Sequence, residues 1–145
     1  MKLKDSVVLI TGGAGNIGSY IVDEILKQEP KLCIIVDNFF NGNNTRTEKN
    51  VKVYPFDIAN VEELSYVFEK SSPEYVFHCA SMLIQDSELL PRKSINTNIM
   101  GTFNVVDLSN KHGVKKICYS SSASVYGEPQ YLPVDESHPF QYDNF

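Results

Sequence analysis

Val7-Val8-Leu9-Ile10-Thr11-Gly12-Gly13-Ala14-Gly15-Asn16-Ile17-Gly18 is the stretch that decides the fold of this chain. An apolar run ends in Gly12, Gly15 and Gly18, spaced three apart, and an amphipathic run from Tyr20 to Lys27 follows at once. That order reads as strand, tight glycine turn, helix. Glycine lets the backbone turn sharply and approach a ligand with no Cβ in the way. Such a turn delivers the free N–H groups and the positive dipole end of the helix to a phosphate. A dinucleotide pyrophosphate is the usual guest. The spacing is G-x-x-G-x-x-G, not the commoner G-x-G-x-x-G, so the motif takes its weight from its context.

That context is Leu32-Cys33-Ile34-Ile35-Val36, a second buried strand, which ends on Asp37. An acidic residue about twenty positions past the glycines, at the carboxyl end of a strand, accepts hydrogen bonds from the adenosine ribose hydroxyls. It repels a 2′-phosphate, so Asp37 points to NAD rather than NADP. The competing reading is a glycine turn and a solvated strand-end carboxylate with no ligand.

The same alternation continues along the chain. Strands are expected over Ser6–Thr11, Lys31–Val36, Val51–Phe56, Glu74–Cys79 and Lys116–Ser121. Helices are expected over Asn16–Gln28, Val61–Lys70 with Asn60 as N-cap, and Ser94–His112 with Gly113 as C-cap. Ile95, Ile99, Phe103, Val106 and Leu108 mark the last of these by their spacing, and Gly101 interrupts it. Phe39–Asn50 reads as a polar loop, Gln85–Lys93 as a substrate-side loop, and the prolines Pro129, Pro133 and Pro139 as an extended closing segment. Apolar strands alternating with helices give an α/β fold, a doubly wound parallel sheet of about five strands. Ligands of such sheets bind beyond the carboxyl ends of the strands. Gly12, Asp37, Asp57, Ala80-Ser81 and Ser120-Ser121-Ser122 all fall at or just past such an end.

The bulk composition narrows the function classes. The 145 residues are 42% hydrophobic and 21% charged, ordinary for one globular domain. The net charge of −5 and the lack of a basic stripe speak against a nucleic-acid partner. No apolar run is long enough to span a bilayer. Lys4-Asp5 leads straight into the first strand without a signal-peptide pattern. Cys33, Cys79 and Cys118 each sit in an apolar strand-like run with no metal-ligand spacing. They are expected to be reduced, buried thiols of a cytoplasmic protein.

With these motifs assembled, the chain resembles the extended short-chain dehydrogenase/reductases, specifically the NAD-dependent nucleotide-sugar epimerase/dehydratase family with its UDP-glucose 4-epimerase-like members. The resemblance rests on Thr11–Gly18, Val36-Asp37-Asn38, Asp57-Ile58, His78-Cys79-Ala80-Ser81, Asn98-Ile99-Met100-Gly101-Thr102 and, most diagnostic, Tyr119–Gly127. It implies a Rossmann-like domain over residues 1–145, NAD as cofactor and a nucleotide-sugar substrate. It implies that Gly12, Gly15, Asn16, Ile17 and Gly18 lie at the cofactor with Asp37. Asn38, Asn41 and Gly42 would border the adenosine, and Asp57 and Ile58 the adenine. Cys79, Ala80 and Ser81 would follow the pyrophosphate and nicotinamide ribose, and Asn98 would back the site. Ser122 takes the place of the catalytic Ser/Thr, and Ser124 would face the substrate. Other readings stay open: Asp57 as a helix cap, Asn98 as a backbone-bonded helix residue, Ser122 as a loop-satisfying serine, and His78 as a core histidine.

The family's base is a Tyr with a Lys four residues on, and no such pair follows Ser122. The chain is therefore expected to be the N-terminal portion of such an enzyme, lacking the later strands and the C-terminal substrate domain, and inactive alone. The alternative is a non-catalytic dinucleotide-binding or regulatory protein on the same half-fold. Met82-Leu83-Ile84-Gln85 also departs from the family, whose members often carry a Lys there. Without the helix that covers strands four and five in the family, an apolar face would stay open, and self-association through it is expected.

Overall fold

A computed structural model describes residues 2–140. Five parallel strands, β1 (Val7–Thr11), β2 (Leu32–Val36), β3 (Val51–Tyr54), β4 (Tyr75–His78) and β5 (Lys116–Tyr119), form one sheet in the order β3-β2-β1-β4-β5. The chain starts in the middle, winds outward to β3, then crosses back past β1 to β4 and β5. That reversal makes the β1/β4 boundary the switch point, where helices leave in opposite directions and a crevice opens.

Alternation along the strands separates two cores. Val7, Leu9, Ile34, Val36 and Val76 face one side, under α2 (Val61–Ser71) and α5 (Thr102–Lys111), with Leu64, Val67, Phe68, Val105 and Leu108 packed onto them. Val8, Ile10, Cys33 and Ile35 face the other side, under Val22 and Ile25 of α1 (Asn16–Leu26). Each buried aliphatic side chain contributes about 1.5–3 kcal/mol of transfer free energy. Asn60 caps α2, its Oδ1 accepting from the N–H groups of Glu62 and Glu63 at 3.1 and 3.3 Å. Gly113, at φ +67°, terminates α5 in the left-handed region.

Several expectations are corrected. The segment Gln85–Lys93 is not a loop but mostly helical, in α3 (Ile84–Leu89) and α4 (Pro91–Ser94). The long helix is not uniform: a π-helical stretch, Ile95–Gly101, joins α4 to α5. Its widened turn sits beside Asn98, whose side chain is bonded to the Met82 backbone instead of lying free on the helix surface. The closing segment also contains a short 3₁₀ turn, Ala123–Tyr126. Tyr142 and its neighbours lie outside the described residues. No helix among the described residues is long and apolar enough to cross a membrane.

The thiols diverge. Cys33 is buried, Cys79 is half-buried and Cys118 is exposed, against the expectation that all three are buried. Cys118 pairs with Phe77 across β4 and β5, on the face where the α1 core reaches as far as Tyr75 and Phe77 of β4. Nothing among the described residues takes the place of α1 over the last strand. On the outer flank of the long helix, Ile95, Ile99, Phe103 and Val106 are 53%, 61%, 60% and 48% exposed, so the sequence stripe points away from the sheet, and only Leu108 of that stripe is buried.

His78 is the polar pin of this architecture. It is 1% exposed. Its Nδ1 lies 2.6 Å from Thr11 Oγ1 on β1 and its Nε2 lies 3.0 Å from Thr102 Oγ1 on α5. Burial pushes its pKa down from 6.5 to about 4. The folded protein therefore holds it neutral while the unfolded chain takes up a proton below pH 6.5, and stability is lost as pH falls from there toward 4. The expected loss between pH 7 and pH 5 is about 2 kcal/mol from this residue, read as a fall in urea midpoint that His78→Gln flattens. A thiol-specific reagent mapped by mass spectrometry should label Cys118 first and Cys33 only on unfolding, because burial raises the Cys33 thiol to about 12.

Candidate functional site

The glycine turn is assembled from both neighbours of β1. Gly12 takes φ +70°, and a Cβ there would meet Ala80 N at 2.6 Å, so only glycine allows the turn to sit against the end of β4. A Cβ at Gly18 would lie 2.0 Å from the Gly12 carbonyl oxygen, so the first turn of α1 rests on the loop that feeds it. Gly12 N–H donates to Val36 O at 2.8 Å. The Asp37 carboxylate then closes the loop: Oδ2 accepts from Ala14 N–H at 2.9 Å and Oδ1 from Phe39 N–H at 2.8 Å. Asp37 is 8% exposed. Its two oxygens keep further lone pairs free for hydroxyl donors.

One pocket lies along the carboxyl ends of β1, β2, β3 and β4. Its walls include Gly12 and Gly15, Asp37 and Asn38, Asn41 and Gly42, Asp57 and Ile58, and Cys79, Ala80 and Ser81. These positions are scattered over some seventy residues of sequence, and the sheet gathers them at its rim. Gly15 is the N-cap of α1, with no side-chain cap bond and no acidic residue in the first turn. A Cβ at Gly15 would meet nothing closer than Gly12 O at 3.3 Å, so the absent side chain leaves room on the pocket side. An uncapped helix end opening on a pocket suits an anion.

The remaining wall residues hold one another. Asn38 Nδ2 donates to Asp57 Oδ2 at 2.9 Å, while Asp57 Oδ1 accepts from Ala59 N–H at 2.9 Å. Asp57 is thus not the cap of α2, a role taken by Asn60. Asn41 Nδ2 donates to Asp86 Oδ2 at 2.8 Å, tying the β2–β3 loop to α3 across the pocket. Arg46 anchors that same loop to α1 through Asp23 Oδ1 at 2.6 Å and Ser19 O at 3.0 Å. Burial raises the Cys79 thiol above its ordinary value, so it stands on the wall as a neutral group.

Several sequence-singled residues stand off the pocket. Asn16 and Ile17 open α1, and Ile17 is 59% exposed, so what they can offer a ligand is backbone N–H. Asn98 does not line the pocket. Its Oδ1 accepts from Met82 N–H at 2.7 Å and its Nδ2 donates to Met82 O at 3.1 Å, which fixes the chain just past Ser81. Ser122 and Ser124 lie farther along the rim. Ser122 Oγ donates to Ser124 Oγ at 2.9 Å and accepts from Ser124 N–H at 3.1 Å, capping the 3₁₀ turn. Ser120 N–H donates to His78 O at 3.2 Å and carries that segment alongside the end of β4.

Phe40, Phe56, Lys93 and Thr97 also line the pocket without having been marked as site residues, as do Val36 and Met82, which the sequence reading quoted only as members of their motifs. Phe56 directly precedes Asp57, and Phe40 lies between Asp37 and Asn41, so proximity to marked positions was an available signal for both. Lys93 stood only at the end of the expected substrate-side segment and Thr97 inside an expected helix; the helical fold of 84–101 brings both to the pocket.

Comparison with known proteins places this geometry. Residues 8–144 match the model of the NAD dependent epimerase/dehydratase family. A UDP-glucose 4-epimerase of Dictyostelium discoideum is 36% identical over 152 aligned positions, covering 99% of this chain and 44% of that protein. The structure of a UDP-glucose 4-epimerase from Thermotoga maritima with UDP-glucose superposes with a TM-score of 0.83 at 34% identity, over 92% of this chain and 44% of the other. The Bordetella bronchiseptica enzyme WbmG in complex with NAD and UDP gives 0.82 at 27% identity, over 92% and 43%. The chain spans less than half the length of the curated relatives it matches. It belongs to the NAD dependent epimerase/dehydratase family.

Proposed function

We propose that this family member binds NAD in the Gly12–Asp37–Ala80 pocket and forms the cofactor half of a nucleotide-sugar epimerase or dehydratase. The observation that carries the reading is that the uncapped start of α1 and the Asp37 carboxylate open on one pocket at the switch point of the sheet. The N–H groups of Asn16, Ile17 and Gly18 would meet the pyrophosphate. Asp37 would accept from the adenosine ribose, with Asn38, Asn41 and Gly42 along its border. Asp57 and Ile58 would hold the adenine, the carboxylate accepting from its exocyclic amine. Cys79, Ala80 and Ser81 would follow the cofactor toward the nicotinamide, held in place by Asn98 through Met82. Ser122 and Ser124 would meet the sugar.

Bound NAD supplies a hydride acceptor for a sugar carbon. This chain's own part is to orient the cofactor and, through the Ser122 hydroxyl, to bond the sugar hydroxyl being oxidised. The proton of that hydroxyl needs a base. The 145 residues carry no Tyr-x-x-x-Lys after Ser122. By themselves they are therefore proposed to bind cofactor without turning over a nucleotide sugar. Three free thiols agree with a reducing, cytoplasmic location.

Calorimetric titration should show NAD binding and far weaker NADP binding, since Asp37 faces the 2′ position with a negative charge. Asp37→Ala, checked for folding by circular dichroism, should weaken NAD by about 10- to 100-fold, the value of a charge-assisted hydrogen bond, and narrow the NAD/NADP gap. Failure of the unsubstituted chain to bind NAD overturns the reading. The exposed flank of Ile95, Ile99 and Phe103 and the open face beside Cys118 should drive self-association. Light scattering at high concentration is expected to give a dimer or larger species, and a clean monomer contradicts it.

A further inference from the structure

Two segments form the lips of the pocket. One is the start of the β2–β3 loop, Asp37 to Gly42, and the other runs from Cys79 into α3 and α4. Two contacts join them. Asn41 Nδ2 donates to Asp86 Oδ2 at 2.8 Å in a solvent-exposed bond, and Lys93 Nζ stands 3.7 Å from the centre of the Phe40 ring. The lips so joined enclose about 100 Å³. Sites that enclose a small organic ligand run to roughly 300–1,000 Å³, so a dinucleotide needs the lips to part.

The outer parts of both lips are lightly anchored. α3 and α4 bury no side chain. Phe39 takes φ +55°, a left-handed conformation that a bulky residue rarely adopts, and Asp37 holds it there by accepting its N–H at 2.8 Å. Segments with few buried contacts open locally at low cost. The parts behind them are fixed: Asn98 holds Met82, and Arg46 ties the far end of the β2–β3 loop to α1. Opening is thereby confined to the lips.

We infer that the Asn41–Asp86 and Phe40–Lys93 contacts form a clasp that keeps the pocket shut in the free chain, so that a dinucleotide enters only when the clasp opens. This rests on the NAD-binding reading above. A site that is open for only part of the time binds more weakly by the fraction open. Weakening the clasp raises that fraction, which quickens association and tightens binding. Truncating a side chain that merely touched the ligand would weaken binding instead.

Asp86 stands outside the pocket wall, which makes it the position to change. The test uses Asp86→Ala, Asp86→Asn, which drops the charge but keeps an acceptor for Asn41, and the double variant Asp86→Ala/Lys93→Met. In the ligand-free chain, hydrogen exchange followed by mass spectrometry should quicken in 38–44 and 84–94 together for Asp86→Ala, and further for the double variant. Stopped-flow mixing with NADH, read by its fluorescence, should give association about three- to tenfold faster for Asp86→Ala, the value of one exposed hydrogen bond. Its Kd should fall by a similar factor, with Asp86→Asn close to the unsubstituted chain. An unchanged association rate, a weaker affinity, or equal acceleration in Asp86→Asn, which is the mark of plain charge repulsion, overturns the clasp and leaves the NAD reading intact. Unaltered exchange in the two lips overturns it as well. Absence of cofactor binding by every form overturns both.

Discussion

The bond from Ala14 N–H to the Asp37 carboxylate, 2.9 Å long, holds the glycine turn to the end of the neighbouring strand, and the site depends on it. A glycine-rich loop has more conformational entropy to lose than any other segment. Here it is fixed from three sides: by Asp37, by the Gly12–Val36 backbone bond and by the packing of Gly18 on Gly12. The same carboxylate accepts from Phe39 N–H, so one side chain sets both the glycine turn and the start of the β2–β3 loop. Asp37 thus has a structural duty that leaves further lone pairs on its two oxygens.

A second constraint is the neutrality of the buried polar groups behind the site. His78 lies between Thr11 and Thr102 and stays uncharged because burial penalises its cation. It joins β1, β4 and α5 immediately below the rim. Asn98 does comparable work one layer up, using donor and acceptor together to hold Met82. Both are helix- or strand-borne polar residues that act on the pocket through backbone they position, without reaching it themselves. The charged groups are left to the pocket wall, where two carboxylates and a lysine face a common space.

Much of this was legible in the chain. The strand–glycine–helix order and the apolar runs give the parallel sheet, since only a sheet covered on both faces tolerates strands like Leu32–Val36. The rim residues follow from the rule that ligands meet the carboxyl ends of strands. The misreadings share a cause. Cys118 looks buried by local pattern, but its exposure is set by what packs over the last strand, and no local pattern encodes a missing neighbour. Gln85–Lys93 looks like a loop because short helices with no buried residues carry no amphipathic stripe. Lys93 fell at the end of the expected substrate-side loop and Thr97 inside the expected helix, and neither placement marked the side chain as a pocket wall.

The sequence by itself determined the fold class, the glycine turn, the acidic strand end and the order of the rim, because each is written in local backbone preference and in the period of apolar residues. Tertiary structure alone decided which side chains meet. It turned Asn98 away from the pocket and onto Met82, brought the ammonium of Lys93 onto Phe40, and left the Thr97 hydroxyl buried without a partner. The physical reason is that hydrogen-bond satisfaction and burial are properties of the space between elements. That space exists only after the sheet and its helices have packed.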